Sequence, residues 1–286
     1  MELLLEPVRT DSQGLADSVA AAKVNPNAKS YADALEKSVV VRALLDGTAQ
    51  IEWVKVDLVS DNPIKGQGLA GRDDLMIARL AKILGKPEKS VTLVSAYFLP
   101  GDALTNLLTG WSNGGVDVRT LTNSQEATDV LPVHAGYSKY RDALLDGGVS
   151  IYELKSDQDG ANLRQMFQRF DLIGSSTASL HAKTFVIDQN RLFVGSFNFD
   201  PRSTNLNTEM GFLIHSPKMA GALVNEFDRM TKTSAYFVTK IEKGGKIWTE
   251  YTDDGTKQVH DVEPKTTWIT RSAVRVIGWL PIIWML

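Results

Sequence analysis

The chain has 286 residues, of which 43% are hydrophobic and 23% charged, with a net charge of −3. That is the make-up of an ordinary globular protein, long enough to bury a sizeable core as one large domain or two small ones. The absence of cysteine excludes disulfides and thiolate chemistry and fits a reducing compartment; the slight acidity lacks a nucleic-acid binder's basic footprint, without excluding a local positive cleft.

The opening Met1-Glu2-Leu3-Leu4-Leu5-Glu6-Pro7 has no positive start and a short apolar run, so no signal peptide is expected there. Residues 10–30 are small and polar, which predicts a loop with one short helix. Ser30 can cap a helix to about Asp46, with Tyr31, Leu35, Val39 and Leu45 near one face and Gly47 as its stop. Residues 1–50 thus read as a helical connecting segment without chemistry of their own.

From Ile51 strands and helices alternate. The pattern predicts strands over 51–59, 90–97, 116–122 and 149–154, and helices over 72–84, 102–112 and 133–145. Residues 160–172 read as loop or helix. Strands follow over 177–187, 192–198 and 210–214, then a helix over 219–231. The glycine-rich turns Lys243-Gly244-Gly245-Lys246 and Asp253-Asp254-Gly255 punctuate a small β meander. The expected fold is α/β: a mixed, largely parallel sheet flanked by helices on both faces, over 51–235, with the meander and an apolar tail over 236–286.

The chemistry collects around Leu180-His181-Ala182-Lys183-Thr184-Phe185-Val186-Ile187-Asp188 and Gly195-Ser196-Phe197-Asn198. Side chains two apart on a strand share a face, so His181, Lys183, Phe185 and Ile187 line one side. If Asp188-Gln189-Asn190-Arg191 is a four-residue hairpin loop, Ile187 faces Leu192, Lys183 faces Ser196 and His181 faces Asn198. One surface then carries an imidazole, an ammonium, a hydroxyl and an amide, which describes a phosphate site with its own nucleophile. Glu209, before the next strand, could reach His181 and fix its tautomer. No His, Asp and Glu cluster has metal-ligand spacing, so neither metal nor cofactor is expected. His134 reads as structural or as a pocket rim, and His215 and His260 as surface or strand-end residues.

His-x-Lys-x4-Asp, then Gly-Ser-x-Asn, then Asn207-Thr208-Glu209 resembles the signature of the phospholipase D superfamily. The fuller run from Gly195 through Phe199-Asp200-Pro201-Arg202-Ser203 to Glu209 is similar to bacterial cardiolipin synthases, most of all the C-terminal half of the C-type. The resemblance covers about residues 51–286. It implies that His181 is a catalytic histidine and Lys183 a phosphate-binding lysine. Asp188 matches the motif aspartate, Ser196 and Asn198 the phosphate contacts, and Glu209 the acid that orients the histidine. It also places Arg202 and Arg141 near a phospholipid headgroup. The implied reaction transfers a phosphatidyl group through a phosphohistidine, with phosphatidylglycerol and phosphatidylethanolamine as candidate lipids and no nucleic acid.

One departure from that pattern stands out. The implied mechanism needs two His-x-Lys motifs, and this chain has one: no lysine stands two positions after His134, His215 or His260. Either two copies pair about a two-fold axis, or a second half lies outside this chain. A hydrolase or nuclease active as a homodimer, and a catalytically incomplete lipid-binding half, are the competing readings. The ending from Val276 to Leu286 carries Trp279 and Trp284 behind Arg271 and Arg275. It is too short to span a bilayer, and suits either an interfacial anchor or a tail on the protein's own core. The expected location is peripheral, on the cytoplasmic face of a bacterial inner membrane.

Overall fold

The computed structural model describes residues 14, 17, 20, 38–49, 51–156, 180–242, 244–252 and 255–280. The expected loop over 160–172, the first residues of the strand expected from 177, and the chain end from 281 lie outside them. The chain divides into two compact units, residues 1–52 with 168–170, and residues 53–167 with 171–286. In the first, α1 (Val39–Leu45) begins where the Ser38 hydroxyl accepts the Val41 N–H at 3.4 Å.

The second unit is built on one ten-stranded sheet. Its strands are β1 (Lys55–Ser60), β2 (Ser90–Ser95), β3 (Asp117–Asn123), β4 (Ser150–Leu154), β5 (Lys183–Ile187), β6 (Arg191–Gly195), β7 (Met210–His215), β8 (Ala235–Lys240), β9 (Lys246–Tyr251) and β10 (Lys257–His260). Their order is β1-β7-β6-β5-β2-β3-β4-β8-β9-β10. Only β2 with β3 and β3 with β4 pair in parallel; every other pairing is antiparallel. The sheet is mixed, as expected, but its parallel share is smaller than expected. The reason lies in the connections. Parallel neighbours need a crossover, and here α3 (Gly101–Asn113) joins β2 to β3 while α4 (Leu131–Ser138) and α5 (Arg141–Asp146) join β3 to β4. Three of the antiparallel pairs, β5–β6, β8–β9 and β9–β10, are successive strands joined by short turns.

Alternation along β5 sorts the layers. Phe185 and Ile187 enter the core shared with Leu80 of α2 (Met76–Leu84) and Leu108 of α3. Val186 points the other way, to Ala220 and Val224 of α7 (Pro217–Thr233). Helices therefore cover both faces. All six residues of β2 are buried, as befits a strand between two others and between two helical layers.

The meander β8-β9-β10 continues the main sheet from β4. After it comes a helix where the sequence suggested only an apolar tail: α8 (Trp268–Trp279), whose Thr267 hydroxyl accepts the Thr270 N–H at 3.2 Å. It packs on α4, with Val274 and Gly278 buried and Trp268, Ile269, Val276 and Trp279 exposed.

A buried charge network holds this region. Arg141 lies 3.1 Å from Glu153 and 2.7 Å from Glu263, and its guanidinium also meets His134 Nε2 at 3.2 Å. Tyr137 and Trp248 donate to the two Glu153 oxygens at 2.9 and 2.8 Å. Burial pushes the Glu263 carboxyl up, but the Arg141 charge together with the hydrogen bonds and charge supplied by His134 and Arg141 brings it down to about 2. His134 is thus a core residue. Arg141 is one too, so the headgroup position implied for it by resemblance is corrected: its fork is occupied by two glutamates. His215 and His260 sit at strand ends, paired to Asp57 and Glu250 at 2.7 and 2.8 Å.

Candidate active site

The catalytic-looking hairpin turns in three residues, not four. Ile187 pairs with Arg191 and Phe185 with Phe193, so the register differs by one from that expected. Asp188 and Gln189 both adopt positive φ (52° and 54°), which closes the turn one residue early. Phe185 and Phe193 consequently stack, with ring centroids 4.7 Å apart. Continuing the pairing sets Lys183 across from Gly195, and Ser196 no longer belongs to a strand. His181 likewise precedes β5 instead of lying within it.

The site still assembles, by another route. After Gly195 the chain leaves the sheet, and the Ser196 N–H donates to the Met210 carbonyl at 2.9 Å. The Ser196 hydroxyl donates to Glu209 Oε2 and accepts the Met210 N–H at 3.1 Å. Glu209 is buried, and the Lys183 ammonium feels its negative charge. Lys183 donates to the His181 carbonyl at 3.1 Å, while the His181 side chain is exposed. His181 Nδ1 and Nε2 make no hydrogen bond among the described residues, so Glu209 serves Ser196 and does not orient the imidazole. The Asn198 N–H donates to Ser203 Oγ at 3.3 Å, and its side-chain oxygen is buried without a partner among the described residues. Such an orphan is uncommon in a folded chain and is accounted for if a ligand completes it.

Gly195 has a steric reason to open its motif. It pairs with Gly211, and a Cβ at Gly195 would lie 2.5 Å from the Met210 carbonyl oxygen and 2.8 Å from the Gly211 Cα. Because both neighbours are backbone, Gly195→Ala should cost about 1–3 kcal/mol, read as a lower urea midpoint; an unchanged midpoint would show that the strands can part.

One residue grouped with the site by resemblance stands elsewhere. Asp188 is five residues along from Lys183, roughly 16 Å on an extended strand. Its carboxylate accepts the backbone N–H groups of Glu88, Lys89 and Ser90 at 3.0, 2.7 and 3.1 Å. Burial raises its pKa, yet those donors outweigh it and the net shift is downward. Asp188 is a structural clasp between the β5–β6 turn and the start of β2. Arg202 is exposed on α6 (Pro201–Asn205) and donates from Nε to Asn207 Oδ1 at 3.3 Å.

Several contributors were given no role in the sequence reading, though Asp200 lies within the motif run. Asp200 caps α6, accepting the Ser203 N–H at 2.6 Å; its negative charge acts on Lys183, and its own pKa is raised, by burial first. Asp61 accepts the Glu209 N–H at 2.9 Å, the Met76 N–H at 2.6 Å and the Lys65 ammonium at 2.7 Å. Lys65 also donates to the Ser203 carbonyl at 2.8 Å. This fully covered ion pair ties Glu209 to the loop carrying Asn198.

The His181 pKa is lowered by burial first and then by the Lys183 charge, against an upward pull from Asp129. The imidazole therefore stays neutral below the usual value near 6.5. A ¹H–¹³C titration of the ring should show a midpoint below that of free imidazole, raised by Lys183→Ala and lowered further by Asp129→Asn; the opposite signs would break the electrostatic picture. Among the described residues, no group of three or more His, Cys, Asp and Glu side chains is placed to hold a metal ion.

The arrangement thus sets an imidazole beside an ammonium, with a hydroxyl and an amide on the adjoining loop. The family model described as "Cardiolipin synthase, PLD-like domain" matches residues 80–231. The chain belongs to that family. It is 40% identical over 258 residues to cardiolipin synthase C of Escherichia coli, covering 90% of this chain and 53% of that protein. It is 26% identical to cardiolipin synthase 2 of Bacillus anthracis, covering 56% of this chain and 27% of that one. The chain thus spans about half or less of the length of the cardiolipin synthases it matches. Among solved structures, the phospholipase D family member Nuc from Salmonella typhimurium aligns with a TM-score of 0.46 and 16% identity, covering 66% of this chain and all of that one.

Proposed function

We propose that the chain forms one catalytic half of a cardiolipin synthase-type phosphatidyltransferase, with His181, Lys183, Ser196, Asn198 and Glu209 as its working residues. The observation that carries this reading is the joining of Lys183, Glu209 and Ser196 beside an exposed, neutral His181. In the reaction, an imidazole attacks the phosphorus of a phosphatidyl diester and an alcohol leaves with a proton. A second alcohol, the glycerol end of phosphatidylglycerol, then takes the phosphatidyl group from the histidine. Phosphatidylethanolamine is a second candidate donor. Lys183 and Asn198 hold the non-bridging oxygens, and Glu209 keeps Ser196 and the Lys183 charge in place.

One His-x-Lys motif supplies one imidazole, so the attacking and protonating roles call for a second half, from a longer protein or a second copy. An exposed apolar strip fits such a partner: Leu58 lies across from Phe212 and Ser60 from Met210, beside Glu209, with Leu58, Phe212 and Met210 all exposed. The exposed Trp268, Ile269, Val276 and Trp279 on α8, with Arg275 among them, suit a membrane surface. No helix among the described residues is long and apolar enough to cross a membrane.

Labelled phosphatidylglycerol vesicles test the reading. Cardiolipin and glycerol are the expected products from the chain joined to, or mixed with, a second His-x-Lys half. Light scattering run alongside decides the source of that half: a discrete, active dimer of this chain alone favours the homodimer. Phosphatidate as the sole product would favour a hydrolase, and DNA cleavage without lipid turnover would overturn the proposal.

A further inference from the structure

Tyr97 and Asp129 stand beside His181 without a role in the chemistry so far. Tyr97 follows β2 and is half-buried; its ring centroid lies 6.4 Å from that of His181, edge-on at 86°. Its phenol donates to Asp129 Oδ2 at 3.0 Å. Asp129 is exposed, in the segment between β3 and α4, and its charge reaches both His181 and Lys183. Burial first, and then the bond to Asp129, push the phenol up to about 12, so its proton stays in place.

The hydrogen-bonding capacity left over has one sign. The phenol proton is committed to Asp129, which leaves the phenol oxygen as an acceptor. Asp129 Oδ1 makes no hydrogen bond among the described residues and is a charged acceptor. A phosphate offers only acceptors at this pH range and would be repelled by both. Lys183, whose ammonium feels the Asp129 charge, is the donor suited to phosphate. The site therefore has a donor side for the phosphoryl oxygens and an acceptor side for whatever alcohol is esterified to them. A cationic headgroup would also please Asp129, but it would sit against the Lys183 ammonium; hydroxyl groups meet no such opposition.

We infer that Tyr97 and Asp129 form a hydroxyl-recognising subsite that binds a polyol headgroup, of the glycerol type, next to the phosphate held by Lys183. The inference rests on reading the site as a phosphate site. It adds that neighbouring hydroxyls of the departing or incoming alcohol donate to Asp129 Oδ1 and to the Tyr97 oxygen.

Binding tests it without turnover. Three phosphodiesters that differ in one alcohol serve as probes: methyl glycerol phosphate, methyl ethanolamine phosphate and dimethyl phosphate, titrated by NMR. The glycerol diester should bind roughly tenfold tighter than dimethyl phosphate, the size expected of one charge-assisted hydrogen bond. Asp129→Ala should remove that preference, Tyr97→Phe should shrink it, and Asp129→Asn, which keeps a neutral acceptor, should retain part of it. Lys183→Ala should instead weaken all three alike. Matching unfolding midpoints confirm that the exposed Asp129 variants fold. Equal binding of the three probes, a preference that survives Asp129→Ala, or tightest binding of the ethanolamine diester would overturn the polyol subsite while leaving the phosphate site intact. Failure of the wild-type chain to bind any of them would overturn the phosphate site, and this inference with it.

Discussion

Arg141→Met should destabilise the fold by about 3–5 kcal/mol, because it strands two carboxylates in the interior. The Arg141 side chain is 2% exposed and that of Glu153 is fully covered. Glu153 would keep its bonds from Tyr137 and Trp248 but lose its counter-charge, and Glu263 would lose the largest of the influences that lower its carboxyl. The same guanidinium lies over the rings of Tyr137 and Trp248, at 4.8 and 5.4 Å from their centroids, so packing is lost as well. A surface comparison isolates the effect. Arg229 pairs with Glu226 at 2.6 Å, but its side chain is 55% exposed, and Arg229→Met should change stability by about 0.5 kcal/mol or less. Urea midpoints of the two variants decide the matter; equal shifts would mean that the buried network contributes no more than a solvated pair. Adding Glu153→Gln to Arg141→Met should recover part of the loss, since the orphaned charge is then gone.

That network also shows where the sequence stops being legible. Strands of the sheet could be read because short runs rich in β-branched and apolar residues are bounded by polar or proline-containing stretches, as in 90–95 and 183–187. The site could be named because three motifs fell in order. What could not be read were contacts between distant segments. Arg141 meets Glu263 across 122 positions, and Asp61 meets Glu209 across 148, with no local pattern at either end. The hairpin register failed for a smaller reason. Positive φ at Asp188 and Gln189 shortens the turn by one residue, and neither is the glycine or Asn-Gly pair that announces such a geometry. Asp188 was misplaced by the same logic: a motif aspartate reads as chemical, yet three backbone N–H groups occupy it. The helix α8 was missed although Thr267 caps it and Pro281 stands two residues past its end; its last four residues fall in the apolar run from Val276, which drew the reading.

His181→Ala should abolish phosphatidyl transfer, lowering it about 1,000-fold or more, while leaving the unfolding midpoint close to that of the wild type. The second half of that statement follows from exposure. The imidazole is exposed and makes no hydrogen bond among the described residues, so its removal opens no cavity and orphans no buried partner. The first half follows from chemistry. If His181 attacks, no phosphatidyl-enzyme forms without it; if it protonates the leaving alcohol, an alkoxide must depart unaided. Lys183→Ala should act differently. It removes the charge nearest the phosphoryl oxygens, weakening substrate and slowing turnover together, and it leaves the negative charges of Glu209, Asp200 and Asp129 unopposed. A quench during steady turnover of labelled lipid separates the two roles of His181. Label carried on His181 assigns the attack to it, and label carried on a partner half's histidine assigns it the proton. A His181→Ala preparation that keeps more than a tenth of wild-type transfer, with its fold intact, would remove this residue from the chemistry in either role and return the motif to a structural part of β5's approach.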